Sequence, residues 1–363
     1  MLAPAGNGSK MTPAFITDLC VFIGRFQPFH EGHLAVVRQA LKQGRFLLIA
    51  VGSAGDPRRY DYIPFTAPER EQMIRSCLTP EENARVLCAH VEDSAYNLND
   101  WIMNIQTVAQ GALSLFGLPT TAKISLIGHA KDNSSYYLKL FPQWGSLDVK
   151  NYLGLSASDF RKLYFSHDPQ VQELALVKAD GYIPDPVLDF LWKFRETYDY
   201  RELVAEQEFM FGYRKAWENS PYPPKFVTVD CCLVFAGNVL LIQRKARPGK
   251  GLWALPGGFL EDDEFIIDGI FRELKEETSI KVPLAVLRGS MIGEPKVFDA
   301  PFRSSRGRTI THCGLVHLQG TELPKIRAAD DAADARWWPI SEITRGMMFE
   351  DHYAMIQNRV SLL

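Results

Sequence analysis

Glu273, Glu276 and Glu277 stand at i, i+3 and i+4, so a helix through them carries three carboxylates on one face. Like charges so placed repel, and an ordinary solvated helix would intersperse basic residues there. A divalent cation turns the repulsion into attraction, because hard cations prefer clustered carboxylate oxygens and bridge them to substrate phosphates. Counted from Gly258, Glu264 follows after five residues and Arg272-Glu273 after seven more. Near the other end, His30 and His33 follow the apolar run Leu19 to Ile23 and the loop Gly24-Arg25-Phe26-Gln27-Pro28-Phe29. Strand, glycine-bearing loop and helix make a phosphate-handling geometry, since loop N–H groups and a helix N-terminus favour an anion. Two histidines at such a helix start can both donate to one triphosphate. Taken singly, each feature has an ordinary reading: an acidic surface helix, or a structural pair of histidines.

Those residues need elements to hold them. From Leu19 to about Tyr182, strands are expected at 19–23, 46–52, 86–91, 123–127 and 147–152, with helices such as 33–43, 67–77 and 99–116 between. That alternation predicts an α/β domain with a parallel sheet covered on both faces and its ligand at the carboxyl ends of the strands. His30 and Lys131 both lie just beyond such ends. Pro184 to Ser220 reads as charged and aromatic helix, broken by Pro221-Tyr222-Pro223-Pro224, and is expected to connect two domains. Strand 226–235, a turn at 236–238 and strand 239–244 then form a hairpin. The carboxylate helix, strands at 285–292, 309–318 and 335–338, and a closing helix at 350–360 complete a mixed sandwich. The expected division is a disordered tail over 1–16, a first domain over 17–195, a helical connector over 196–224 and a second domain over 225–363.

Composition narrows the class. A chain of 363 residues holds two domains, each able to bury a core. The net charge of -3 and the lack of a long basic run argue against nucleic acid as a partner. Scattered bases at Lys245, Arg247, Lys250, Arg303, Arg306 and Arg308 suit a small phosphorylated ligand better. Six cysteines without a C-x-x-C pair read as free thiols in a reducing, cytoplasmic setting. No apolar run approaches a membrane span, and the first fourteen residues lack the apolar core of a signal peptide. Oligomeric state leaves no signature, so a homo-oligomer stays open.

Gly258 to Ile280 resembles the Nudix box, G-x5-E-x7-R-E-U-x-E-E-x-G-U (U being bulky and apolar), with Ser279 in place of the last Gly. Ser there should cost about 1 kcal/mol in a left-handed helix cap without removing a ligand. The lead-in Gly251-Leu252-Trp253-Ala254-Leu255-Pro256-Gly257 is similar to that family too. Gly24 to His33, GRFQPFHEGH, resembles the H-x-G-H site of adenylyltransferases that join ATP to nicotinamide mononucleotide. Gly128-His129-Ala130-Lys131-Asp132 follows in that family's order, and Leu155 to Arg161 is similar to its I-S-x-T-x-x-R signature, with Ser158 for Thr. Over roughly residues 17–363 the layout is identified as that of the bifunctional nicotinamide mononucleotide adenylyltransferase/Nudix hydrolases.

The resemblance implies a Rossmann-like nucleotidylyltransferase domain followed by a Nudix α/β/α sandwich. It implies ATP as substrate and His30, His33 and Arg161 as a clamp on its phosphates, with Gly24, Arg25, Phe26, Lys131, Asp132 and Ser158 binding substrate. Trp101, in the stretch Asn97 to Trp101, would stack on the cationic nicotinamide ring. In the second domain Glu273, Glu276 and Glu277 would hold Mg²⁺ or Mn²⁺, with Mg²⁺ at the first site as well. Arg272 would orient a carboxylate, Glu264 would brace the loop, Arg306 would bind substrate, and Glu294 is the candidate general base. The implied reactions are NAD formation and hydrolysis of ADP-ribose to AMP and ribose 5-phosphate. Two alternatives stand beside them: a non-catalytic second domain that senses ADP-ribose or NAD, and a transferase for another acceptor.

Overall fold

The computed structural model describes residues 15–128, 139–149 and 156–363. The expected tail therefore lies outside the described residues except for Phe15 and Ile16, as do Lys131 and Asp132. The first domain runs β1 (Thr17–Gly24), α1 (Glu31–Gln43), β2 (Gly44–Val51), α2 (Ala67–Ser76), α3 (Pro80–Asn83), β3 (Val86–His90) and α4 (Leu98–Leu115). It continues with β4 (Ile124–Gly128), β5 (Gly145–Asp148), α5 (Ala157–Tyr164), α6 (Pro169–Lys178), α7 (Asp185–Phe194) and α8 (Tyr198–Lys215). Among the described residues its five strands are all parallel, in the order β3-β2-β1-β4-β5. Alternation along β1 explains why both faces are covered. Cys20 and Phe22 enter one apolar core, while Leu19, Val21 and Ile23 enter another against α4.

The stretch expected to connect the domains is helical, and its helices are built into the first core. Val187, Leu191 and Phe194 of α7 and Tyr200, Leu203 and Met210 of α8 are all buried there. Tyr164 Oη donates to the Leu191 carbonyl at 2.7 Å, and Tyr200 Oη to that of Tyr164 at 2.6 Å. The outer face of α8 grips the second domain through Glu202 and Glu206, which accept from Arg247 at 2.7 and 3.0 Å.

The second domain has β6 (Lys225–Phe235), β7 (Asn238–Arg244), β8 (Trp253–Ala254), β9 (Gly257–Phe259), α9 (Ile266–Thr278) and α10 (Leu284–Gly289). β10 (Lys296–Phe298), β11 (Arg308–Leu318), β12 (Ala332–Pro339) and α11 (His352–Val360) complete it. The mixed sheet has the order β10-β11-β6-β7-β12, with β9 against β6 and β8 against β7. β6 again shows the period of two: Val229, Cys231, Leu233 and Phe235 pack under α9, while Cys232 and Val234 pack under α11. The strand expected over 285–292 is instead α10. Pro283 is its N-cap residue, Leu287 is its one buried residue, and Leu284 and Val286 stand exposed. Among the described residues, all six cysteines are free thiols, and no helix is long and apolar enough to cross a membrane.

Candidate active sites

In the first domain the loop after β1 is shaped by packing. Phe26 is 1% exposed and takes a left-handed φ of 53°, with its ring over Gly24. A Cβ on Gly24 would stand 2.8 Å from that ring, so only glycine fits beneath it. Gln27 is buried; its amide accepts from the Phe65 N–H at 3.0 Å and donates to the Phe65 carbonyl at 2.8 Å. Arg70, 0% exposed, donates to the carbonyls of Arg25 (2.8 Å), Gly52 (2.6 Å) and Ser53 (3.1 Å). It thereby ties the loop after β1 to the loop after β2. Arg25 itself is exposed, its guanidinium 5.8 Å from the centre of the Tyr62 ring.

His30 caps α1, and its ring stacks on His33 with centroids 3.6 Å apart. His33 Nδ1 accepts the His30 main-chain N–H at 3.3 Å, which leaves Nε2 as the donor of a neutral ring. Burial among Phe22, Phe26 and Phe29, and then the neighbouring His30, push the His33 pKa well below its usual value. A cavity of about 350 Å³ opens beside this pair, lined by Pro28, His30, Ser156, Phe160, Lys178 and Tyr182 among others.

Arg161 and Ser158, expected at the ATP phosphates, meet each other and the loop after β1 in this structure. α5 is capped by Ser156 and turns Arg161 to its buried face. The guanidinium donates to the Gln27 carbonyl (2.6 Å), the Asp61 carbonyl (2.7 Å) and Ser158 Oγ (3.1 Å). In this arrangement Arg161 holds the loop after β1 from behind, and burial lowers its pKa to about 10. Trp101 lies in the first turn of α4, half-buried against the second core with its ring 6.0 Å from Phe141.

In the second domain β9 and the loop after it bring Gly257 and Gly258 against α9. A side chain on Gly258 would run into the Glu273 carboxylate, and one on Gly257 into Val229 and Asp230. Arg272 is the hub. It donates to both oxygens of Glu264 at 2.9 and 2.7 Å, to Glu273 and Glu276 at 2.9 Å each, and to the Phe259 carbonyl at 3.1 Å. Through those bonds Arg272 holds the Glu264 carboxyl below its usual range. Glu277 is buried and accepts the Gly257 N–H at 2.9 Å. Burial raises the Glu273 carboxyl; burial, with Glu273 and Asp230 close by, pushes Glu277 up to about 8. Helix α9 ends at Ser279 in the left-handed conformation (φ 45°), the cap its position in the box requires.

Among the described residues no three acidic, histidine or cysteine side chains converge as metal ligands. Glu273 and Glu276 turn to Arg272, and Glu277 turns to the glycine loop. The donor chemistry still suits a hard divalent cation, because carboxylate oxygens of Glu273, Glu276 and Glu277 gather on one helix end and burial raises two of those carboxyls. Arg306 lies over Phe259 (5.3 Å) and near Phe349 (6.0 Å), and Arg244 covers Phe349 at 4.2 Å. Glu294 stands exposed in the loop before β10.

Several residues around these sites were not singled out from sequence. Arg70 carried one faint signal, a base on the apolar face of a helix that also buries Met73 and Ile74. Asp230, buried on β6, accepts from Thr311 Oγ1, and Arg244 lies at the end of β7; nothing local marks either.

The NUDIX domain family matches residues 224–358, and the cytidylyltransferase-like family matches residues 21–107. The chain is 37% identical to a bifunctional NMN adenylyltransferase/ADP-ribose pyrophosphatase from Francisella tularensis, solved with AMP and a manganese ion. That match has a TM-score of 0.83 and covers 95% of this chain and 99% of the other. The nicotinamide/nicotinic acid mononucleotide adenylyltransferase of Acinetobacter baylyi is 35% identical over 187 residues, 51% of this chain and 91% of its own. The ADP-ribose pyrophosphatase of Methanocaldococcus jannaschii is 33% identical over 132 residues, 36% of this chain and 71% of its own. Two sites of different chemistry on one chain, matched end to end by a two-domain relative, place this protein in the family of bifunctional NMN adenylyltransferase/ADP-ribose pyrophosphatases.

Proposed function

We propose that the first domain transfers AMP from ATP to nicotinamide mononucleotide (NMN), giving NAD and pyrophosphate. The second domain hydrolyses ADP-ribose to AMP and ribose 5-phosphate. The observation that carries this reading is the match, over 95% of the chain, to the two-domain NMN adenylyltransferase/ADP-ribose pyrophosphatase of Francisella tularensis. In the first reaction an oxygen of the NMN 5′-phosphate attacks the α-phosphorus of ATP, and the bond to pyrophosphate breaks. No covalent intermediate is needed, only alignment and neutralisation of charge on the leaving group. A neutral His33 offers its Nε2–H to the phosphates, and His30 caps the helix whose N-terminus favours the same anion. Arg161 and Arg70 act on the loop as positioning residues.

In the second reaction water attacks a phosphorus of the diphosphate. Glu273, Glu276 and Glu277 are the residues that would hold Mg²⁺ or Mn²⁺ once released from Arg272 and the Gly257 N–H. The bound cation would polarise the diphosphate and lower the pKa of the attacking water. Arg272 keeps the loop and helix together through Glu264, and Arg306 with Phe259 and Phe349 offers a cationic, aromatic surface to the nucleotide. The engagement of Glu273 and Glu276 by Arg272 favours one second reading, a domain that binds ADP-ribose without cleaving it. Product analysis with Mg²⁺ separates the two. AMP plus ribose 5-phosphate from ADP-ribose, above the yields from NAD, diadenosine polyphosphates and nucleoside triphosphates, is expected. Binding of ADP-ribose without turnover would leave the sensing domain.

A further inference from the structure

Where the domains meet, each places side chains in the other. Arg345 of the second domain donates to Asp56 (3.2 Å), to Glu92 (3.4 Å) and to the Asp93 carbonyl (2.8 Å) of the first. Tyr96 of the first domain reaches the other way. Its hydroxyl donates to Asp351, and its ring stands edge-on to Phe298 at 4.9 Å against the second core. Beside this joint lies a cavity of about 500 Å³ that both domains line. Asp93, Asn97, Asp100 and Asn104 face it from the segment that starts α4, and Gln357 and Asn358 face it from α11.

The cavity belongs to the working rim of the parallel sheet. Asp93 accepts the Ser53 hydroxyl, and the Ser53 carbonyl is held by Arg70, which also holds the Arg25 carbonyl at the start of the phosphate loop. A Cβ on Gly52 would stand 3.6 Å from the Gly24 carbonyl and 3.7 Å from Asp93 Oδ1, so cavity wall and loop are neighbours. Ligands of such sheets gather at the carboxyl ends of the strands. Carboxylates and carboxamides dominate the lining, and the guanidinium of Arg345 is already engaged by acidic partners. Such a wall repels phosphate and suits sugar hydroxyls and a cationic ring bearing a carboxamide.

We propose that Gln357 and Asn358 of the second domain are positioning residues for the first domain's reaction, holding the ribosyl-nicotinamide end of NMN in this cavity. The inference rests on the adenylyltransferase reading above. It makes the second domain one wall of the first active site, so NAD synthesis depends on residues that ADP-ribose hydrolysis does not use.

Gln357 is exposed and Asn358 half-buried on α11, and neither belongs to a core, so both tolerate truncation. The test is steady-state kinetics of the full-length Gln357→Ala/Asn358→Ala variant beside the unaltered protein. The KM for NMN should rise about tenfold, as loss of one or two hydrogen bonds predicts. The KM for ATP and ADP-ribose hydrolysis should stay within about twofold, which a general loss of structure would not allow. NAD formation with an unchanged KM for NMN would overturn the proposal and leave the adenylyltransferase reading standing. Absence of NAD formation by the unaltered protein would overturn that reading and this proposal with it.

Discussion

The two sites solve the problem of handling phosphate in opposite ways. The first is built from neutral donors and buried cations whose charge is spent on main-chain carbonyls: His33 is kept uncharged, while Arg70 and Arg161 face the carbonyls of Arg25, Gly52 and Gln27. The second is built from clustered carboxyls: burial raises Glu273 and Glu277, and Arg272 bridges Glu273 and Glu276. The first site is tied together by packing and by main-chain carbonyls, whereas the second crowds carboxyls in a frustrated arrangement that a cation would relieve.

The largest expected effect tests the anionic site. Glu277→Gln keeps the bond from the Gly257 N–H and the shape of the side chain but removes the charge. Hydrolysis of ADP-ribose should fall by about 10²–10³, with NAD synthesis within about twofold. A rate near that of the unaltered protein would show that the acting carboxylates lie elsewhere.

Next is the packed site. Arg161→Lys keeps a charge yet cannot span Gln27, Asp61 and Ser158 at once. It should cost about 2 kcal/mol, lower the melting temperature of the first domain by roughly 4–8 °C, and slow NAD synthesis through the loop. An unchanged melting temperature with lost synthesis would instead put Arg161 on the substrate.

A third expectation concerns pH. Glu277 titrates near 8 in the folded, metal-free protein and near its ordinary value of 4.5 when unfolded. Between those values the folded state binds the extra proton, so stability falls as pH rises from about 5 to 8. Added Mg²⁺ or Mn²⁺ should raise the melting temperature most at the upper end of that window, and Glu277→Gln should flatten the trend. Thermal scans across pH with and without metal would read it; a pH-independent metal effect contradicts the frustrated-site picture.

The smallest effect falls on a cap. Ser279 holds a left-handed φ of 45°, so Ser279→Gly should stabilise the second domain by about 1 kcal/mol with both activities unchanged. A denaturation midpoint that does not rise would show that the cap carries no strain.

Much of this was legible in the sequence because its signals are local. The alternation in β1 and β6, the carboxylate spacing on α9 and the histidine spacing on α1 each need only a few consecutive residues. What could not be read depends on long-range packing. Arg161 sits 134 residues from the Gln27 carbonyl it holds, so its motif named the residue without its partner. The segment 285–292 is apolar enough for a strand, yet Leu284–Gly289 is helix with Pro283 as its N-cap residue. α8 is charged and aromatic, as a connector would be, yet Tyr200, Leu203 and Met210 on one face commit it to the first core.

The most direct test of two separate sites on one chain is His33→Ala assayed for both reactions in the same sample. NAD synthesis should fall by at least about 10² while ADP-ribose hydrolysis stays unchanged. Near-normal NAD synthesis, or loss of both activities in a folded protein, would contradict that separation.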